Sequence, residues 1–241
     1  KPRALLETYN DLDGQVVNFF RVLRSQPDEL VRLLELTPYA RAELELALEP
    51  LDIDRDPLEA ARRFFVVSWM SIGGAPRQHG VTAGNWRYIK SLGRKWGASP
   101  AAYWRVDHLL AVAERLMGVQ IECRDALYVA AHMDTPQTLT YLDPPYLHAT
   151  RSQAKRQRYV IELSEEDHVR LAEVAKSLEG YCLVSGYPSE LYADLYELYG
   201  WVRVQTEVRA NSNRANHGPA TRTECLWISP RTWAALQVER E

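Results

Sequence analysis

The sequence predicts an α/β protein: a three-layer sheet built mainly after Gly118, with a long helical insertion before it. Three observations carry this. Beyond Gly118, strand-like and helix-like segments alternate, the pattern of helices packed on a sheet. From Gln15 to Met117, apolar residues recur mainly at helical spacing. The last two apolar runs, Trp201 to Val208 and Thr223 to Ser229, read as an antiparallel pair closing the sheet.

Taken in order, Ala4 to Thr8 reads as a short buried strand that ends near Asn10-Asp11. An acid at such a strand end can accept hydrogen bonds from ribose hydroxyls; alternatively, Asp11 caps the helix beginning near Gly14. Calcium binding fails, because Asp11-x-Asp13-Gly14 lacks the remaining ligands of an EF-hand loop. Val16, Phe19, Phe20 and Leu23, then Leu30, Leu33 and Leu34, mark helices. Thr37-Pro38 and Asp56-Pro57 read as helix starts, a polar cap followed by proline in the first turn. Further helices are expected over Leu58 to Met70 and Tyr103 to Met117. Between them, glycine-punctuated residues 73–88 suit a loop or hairpin.

Val119 to Cys123 is the next strand, and Ala126 to His132 a short helix. Asp125 between them either caps that helix or contacts a ligand, since both uses favour the same position. Thr138 to Leu142 is a strand. Ser164 is a natural cap for a helix through Leu178, with Glu165, Glu166 and Asp167 over its positive end. Tyr181 to Ser185 is a strand and Pro188 to Tyr199 a helix.

The chemistry concentrates in Asp143-Pro144-Pro145-Tyr146. The prolines supply no backbone N–H, so the preceding strand cannot continue regularly, and Asp143 and Tyr146 project from its carboxyl end. An exocyclic amine on a base is a poor nucleophile, because its lone pair is delocalised into the ring. Two acceptors aimed at its N–H groups, the Asp143 carboxylate and the Pro144 carbonyl, would draw the nitrogen towards tetrahedral geometry. Tyr146 can stack on a base taken out of the duplex. An ordinary turn would use the same residues, and the flanking pattern favours the chemical reading: an apolar strand before, a basic polar loop after.

Composition sets the bounds. The 241 residues make one large domain or two small ones, with a formal net charge of −3. No apolar run reaches transmembrane length and no signal peptide is visible. Cys123, Cys182 and Cys225 read as buried, reduced residues of an intracellular protein, and no Cys or His pair has the spacing of a metal site. The charge is segregated. No acid occurs between Ser68 and Val106, between Pro144 and Ile161, or from Val208 to Thr223, while acids crowd between Asp28 and Glu59. Such a pattern fits a positive face on phosphates; mobile basic surface loops would look the same.

Several stretches together resemble one family. Glu7-Thr8-Tyr9-Asn10-Asp11-Leu12-Asp13-Gly14 with Val17 to Arg24, then Glu114 to Leu127, then Asp143 to Tyr146, then Leu183 to Pro188 and Glu224 to Ile228, look like successive motifs of Dam-type N6-adenine DNA methyltransferases of the phage and prophage variety. The resemblance implies a Rossmann-like, S-adenosylmethionine-dependent fold, with residues 1–14 and 119–241 as the catalytic domain and 15–118 as a helical target-recognition domain. It implies Asp143, Pro144, Pro145 and Tyr146 as the catalytic set and Asp11, Asp125 and Asp143 as donor contacts, with no metal. Asp at the first motif position favours adenine over cytosine, and the helical insertion favours duplex DNA over RNA or protein. A bacterial or phage-infected cytoplasm and a companion restriction endonuclease would follow. The family also places a Phe-x-Gly-x-Gly donor loop just before its second motif. The chain starts at Lys1, where that loop would end, so a fragment is expected; a truncated, inactive DNA-binding protein is the rival.

DNA contacts are expected from Arg77, Gln78, His79, Asn85, Arg87 and Lys90 in the hairpin region. Arg151, Lys155 and Arg158 follow the catalytic motif, and Arg214 lies in a polar loop before the last strand. Trp86 or Tyr88 either wedges into the base stack or anchors the hairpin on the helices.

Overall fold

The computed structural model describes residues 3–71, 86–88, 104–147, 150, 162–209 and 221–238, in two compact units, Lys1–Arg124 and Asp125–Glu241. The first unit is mostly helical. Strand β1 (Glu7–Asn10) pairs in parallel with β2 (Val119–Glu122), Glu7 opposite Val119. The strand expected over Ala4 to Thr8 is therefore shifted. Pairing begins only at Glu7, and Leu5 and Leu6 are exposed rather than buried. Glu7 also accepts a two-pronged ion pair from Arg115, with Nη2 to Oε1 at 2.7 Å.

Four helices follow: α1 (Gly14–Ser25), α2 (Pro27–Glu35), α3 (Arg41–Leu48) and α4 (Pro57–Met70). Asp13 caps α1 by accepting from the Gln15 amide at 2.9 Å. Asp56 caps α4 as the sequence suggests, accepting from the Glu59 amide at 3.0 Å. Thr37 caps nothing. Its hydroxyl donates back to the Leu33 carbonyl at 2.8 Å, closing α2, and α3 begins later without a side-chain cap. One core joins Phe19, Val22, Leu23, Leu30, Leu34, Ala61 and Phe65 to Val106, Leu109 and Ala113. A smaller cluster around Leu44, Val66, Val67 and Met70 takes in Tyr39, Trp86 and Trp104 at its margin.

Arg62 is nearly buried within this unit, and Glu59 and Glu43 answer its charge at 2.6 and 2.8 Å. Hydrogen bonds from Arg62 and Arg63 hold the Glu59 pKa below its ordinary value. Helix α5 (Leu109–Leu116) starts well after the expected Tyr103; residues 104–106 belong to no regular element, and the Trp104 ring N–H donates to the Leu34 carbonyl at 3.0 Å. Gly118 then turns the chain into β2 with φ at 81°, a left-handed conformation that favours glycine.

The second unit holds a four-stranded sheet in the order β3 (Leu139–Leu142), β4 (Tyr181–Gly186), β6 (Thr221–Ile228), β5 (Val202–Arg209). β3 and β4 are parallel; β6 runs antiparallel to both β4 and β5, the antiparallel ending the sequence suggests. Helices α6 (Ala126–His132), α7 (Glu165–Ser177), α8 (Glu190–Tyr196) and α9 (Pro230–Val238) complete it. Ser164 and Asp167 form the full reciprocal cap of α7. Helix α8 is shorter than expected: Ser189, not Pro188, caps it, and residues 197–199 tighten into a 3₁₀ turn. Helix α9 lies beyond the elements the sequence predicts, although Ser229-Pro230 repeats the Asp56-Pro57 logic and the Ser229 hydroxyl accepts from the Thr232 amide at 3.4 Å.

One face of this sheet is core. Leu142, Val184, Trp227, Cys182 and Cys225 pack with Leu171, Ala172 and Ala175 of α7 and Tyr192 and Tyr196 of α8. Gly186 must be glycine there, since an added Cβ would lie 2.8 Å from the Tyr192 ring and 3.3 Å from Trp227. Burial pushes the Cys182 thiol up to about 12. Cys225 is buried too, but Cys123, expected to be buried, is exposed just past the end of β2. The described residues thus form a mixed α/β protein, and no helix among them is long and apolar enough to cross a membrane.

Candidate active site

β3 ends at Leu142, and its register sets the site. Tyr141 lies opposite Leu183 and Leu142 opposite Val184, so one step further Asp143 comes level with Ser185. Leu142 and Val184 face the core. Asp143 and Ser185 share the other face, because successive residues of a strand alternate sides. The geometry agrees: the Ser185 hydroxyl donates to Asp143 Oδ1 at 2.5 Å and lies 3.2 Å from the Leu142 carbonyl oxygen. Ser185 is buried while Asp143 is exposed. Both prolines of the motif sit where no amide is needed; Pro144 is buried and Pro145 half-buried.

Tyr146 is half-buried, and its hydroxyl donates to Glu224 Oε2 at 3.2 Å. Its ring meets Tyr187 edge to face, with centroids 4.6 Å apart. Arg222 Nη1 donates to the Tyr187 hydroxyl at 3.1 Å. Burial, then the nearby Asp143 and Glu224 charges, push the Tyr146 phenol above its ordinary pKa, so it stays a neutral donor. A carboxylate and an aromatic ring therefore stand beside each other at the strand end, as the sequence suggests.

Sequence reasoning did not single out Ser185, Tyr187, Arg222 and Glu224 as site residues. Antiparallel pairing explains their convergence: Ser185 lies opposite Leu226 and Gly186 opposite Cys225, so the start of β6 runs past the carboxyl end of β4. Residues two apart share a face, which puts Ser185, Tyr187, Arg222, Glu224 and Leu226 on the side of Asp143.

In the first unit, Asp11 stands just past β1. Its Oδ1 accepts from the Asp13 amide at 2.9 Å and its Oδ2 from the Tyr9 hydroxyl at 3.1 Å. It does not cap α1; Asp13 does, because the helix begins one residue after it. A carboxylate offers about four acceptor positions. Asp11 thus retains capacity for a diol, and its residues fit the ribose role. Desolvation raises the pKa of neighbouring Asp13 above its ordinary value. Asp125 caps α6 through Oδ1, which accepts from the Leu127 and Tyr128 amides at 2.9 and 3.0 Å; the carboxylate is otherwise exposed.

Of the expected DNA contacts, only Arg87 falls among the described residues. Arg77, Gln78, His79, Asn85, Lys90, Arg151, Lys155, Arg158 and Arg214 lie outside them. The Arg87 amide donates to the Met70 carbonyl at 2.6 Å, its guanidinium reaches the Ser71 carbonyl at 3.2 Å, and its own carbonyl accepts from Tyr39 at 2.8 Å. Trp86 packs against Tyr39 beneath the Arg41 guanidinium, with Tyr88 stacked on it, so Trp86 is an anchor on the helices. Among the described residues, no cluster of His, Cys, Asp and Glu could hold a metal ion.

A mixed α/β chain with an Asp-Pro-Pro-Tyr corner at a strand end is consistent with a methyltransferase, and the comparisons point the same way. Residues 96–210, just under half of the chain, match the D12 class N6 adenine-specific DNA methyltransferase family. The chain is also similar to the Type II methyltransferase M1.LlaDCHI of Lactococcus lactis subsp. cremoris: 22% identical over 228 residues, covering 88% of this chain and 76% of the relative. Together these matches support DNA methylation, with adenine as the base through the family match. The family match spans the corner from Asp143 to Tyr146 as well as Ser185 and Tyr187.

Proposed function

We propose that this protein transfers a methyl group from S-adenosylmethionine to N6 of an adenine flipped out of duplex DNA, in the manner of Dam-type enzymes. The observation that carries the proposal is the Asp143 corner: an exposed carboxylate at a strand end, one oxygen held by Ser185, beside a half-buried tyrosine. The second oxygen and the Pro144 carbonyl accept the two amino protons of adenine, while the Tyr146 ring stacks on the purine. When bound, the donor supplies an electrophilic methyl on sulfonium. The N6 lone pair would take that methyl as the S–C bond electrons leave on sulfur, giving a thioether, and the proton lost from the methylated nitrogen would pass to solvent water. The protein contributes alignment and fixed dipoles.

Donor contacts fall to Asp11, as acceptor for ribose hydroxyls, and to Asp125 beside the adenine ring of the donor. Residues 15–118 serve target recognition, with the basic residues named above on phosphates and base edges. The Type II designation of the relative extends the proposal to a companion restriction endonuclease in a bacterial or phage-infected cytoplasm. Incubating the protein with S-adenosylmethionine labelled at the methyl group and with phage or plasmid DNA should yield N6-methyladenine. Label found only as N4-methylcytosine, or only in RNA, refutes the assignment.

A further inference from the structure

We infer that Ser185 and Glu224 are positioning residues for the reaction, Ser185 fixing the Asp143 carboxylate and Glu224 fixing the plane of the Tyr146 ring. The inference rests on the methyltransferase reading above and goes further by naming the groups that hold its catalytic pair. Asp143 follows the last paired residue of β3, so no strand hydrogen bonds restrain its side chain. The described bond that does is the one from Ser185, at 2.5 Å. Ser185 is itself fixed: it is buried, lies within a paired strand and sits opposite Leu226. Binding Oδ1 orients Oδ2 outward, towards the position a substrate amine must take.

Tyr146 has the same need. A ring that stacks on a base must keep its plane, and rotation about χ1 and χ2 would spoil the alignment. The hydroxyl tethers its far end to Glu224 at 3.2 Å, and Tyr187 packs edge-on against it at 4.6 Å. Arg222 in turn holds Tyr187 through its hydroxyl. Acid and ring are thus braced from two antiparallel strands of one sheet, the rigid support that an aligned site requires.

The test uses the full chain and has two arms. In the first, 3-fluorotyrosine is incorporated and the Tyr146 resonance is assigned through Tyr146→Phe. Glu224→Gln and Glu224→Ala should each shift that fluorine signal, with no methyl transfer involved. In the second, steady-state methylation is measured. Glu224→Ala should lower kcat about 10-fold and Ser185→Ala about 10- to 100-fold, the scale of a misaligned reacting group, with little change in KM for DNA. Glu224→Gln, which keeps an acceptor oxygen, and Ser185→Thr, which keeps the hydroxyl, should recover most of the loss. Tyr146→Phe/Glu224→Ala should be no slower than Tyr146→Phe alone, since both remove one bond. An unmoved fluorine signal, multiplicative losses in the double variant, or unchanged kcat in both alanine variants overturns the inference. If the wild type methylates no nucleic acid, the function reading fails and the positioning role falls with it; the fluorine arm still reports whether the tether exists, so the two failures are told apart.

Discussion

Asp11 and Asp143 each follow the last residue, or nearly the last, of a parallel strand, yet they are held in opposite ways. Asp11 is restrained by its own neighbourhood, bonding the Tyr9 hydroxyl and the Asp13 amide, each two residues away. Asp143 is restrained by Ser185, 42 positions along the chain. Tyr146 depends in the same way on Glu224, 78 positions away. A locally held acid forms its environment as soon as the chain turns. A distantly held one exists in working geometry only when the whole sheet is assembled, so its function is tied to the stability of the second unit.

The largest expected effect comes from removing the distantly held acid. Asp143→Ala should lower methyl transfer at least about a hundredfold, the scale for losing one preorganised polar group, while DNA affinity measured by fluorescence anisotropy stays near wild type. Equal turnover in the variant would erase the distinction between the two carboxylates. A smaller loss is expected at the other strand end. On the proposed function, Asp11→Ala should weaken S-adenosylmethionine binding about tenfold by calorimetry, as for one hydrogen bond to a charged group, with kcat at saturating donor much less affected. A kcat effect equal to that of Asp143→Ala would show that the locally held acid also takes part in the chemistry.

The smallest effect concerns Asp13 and is one of pH. Desolvation raises its folded-state pKa above the ordinary 3.8. A raised carboxyl pKa means that the folded state binds the proton more tightly than the unfolded one. Stability from this group is therefore highest below the unfolded pKa and is lost as pH rises through the folded value. Asp13→Asn keeps an acceptor for the Gln15 amide and removes the charge. Urea unfolding should show it at least as stable as wild type at neutral pH, with the difference vanishing in acid. A variant weaker by about 1 kcal/mol at neutral pH would instead show that the charged cap is the better one.

The same division between local and distant explains what could be read in advance. The caps Asp56 and Ser164, the helix over Ala126 to His132 and the antiparallel closing strands were legible, because each depends on residues within a turn or on an apolar period. Thr37 misled because its hydroxyl has two local uses, capping forward or closing the helix behind it, and the second prevailed. The start of α5 at Leu109 was not legible, because the Trp104 ring N–H bonds the Leu34 carbonyl, 70 positions away, and such a contact leaves no mark on local periodicity. Ser185 and Glu224 carried no signal beyond lying in stretches that resemble the family's closing strands, since a serine in a buried strand is ordinary until its partner is known.

By itself, the sequence determined the alternation of elements, the helical stretch before Gly118 and the Asp-Pro-Pro-Tyr corner. It thereby identified which acid and which ring stand where a strand must stop. Only the tertiary structure decided that Ser185, Tyr187, Arg222 and Glu224 gather around that corner. The reason is geometric: strand register fixes which side chains share a face, and register is a property of pairing between distant segments, set when β4 and β6 run past each other in opposite directions.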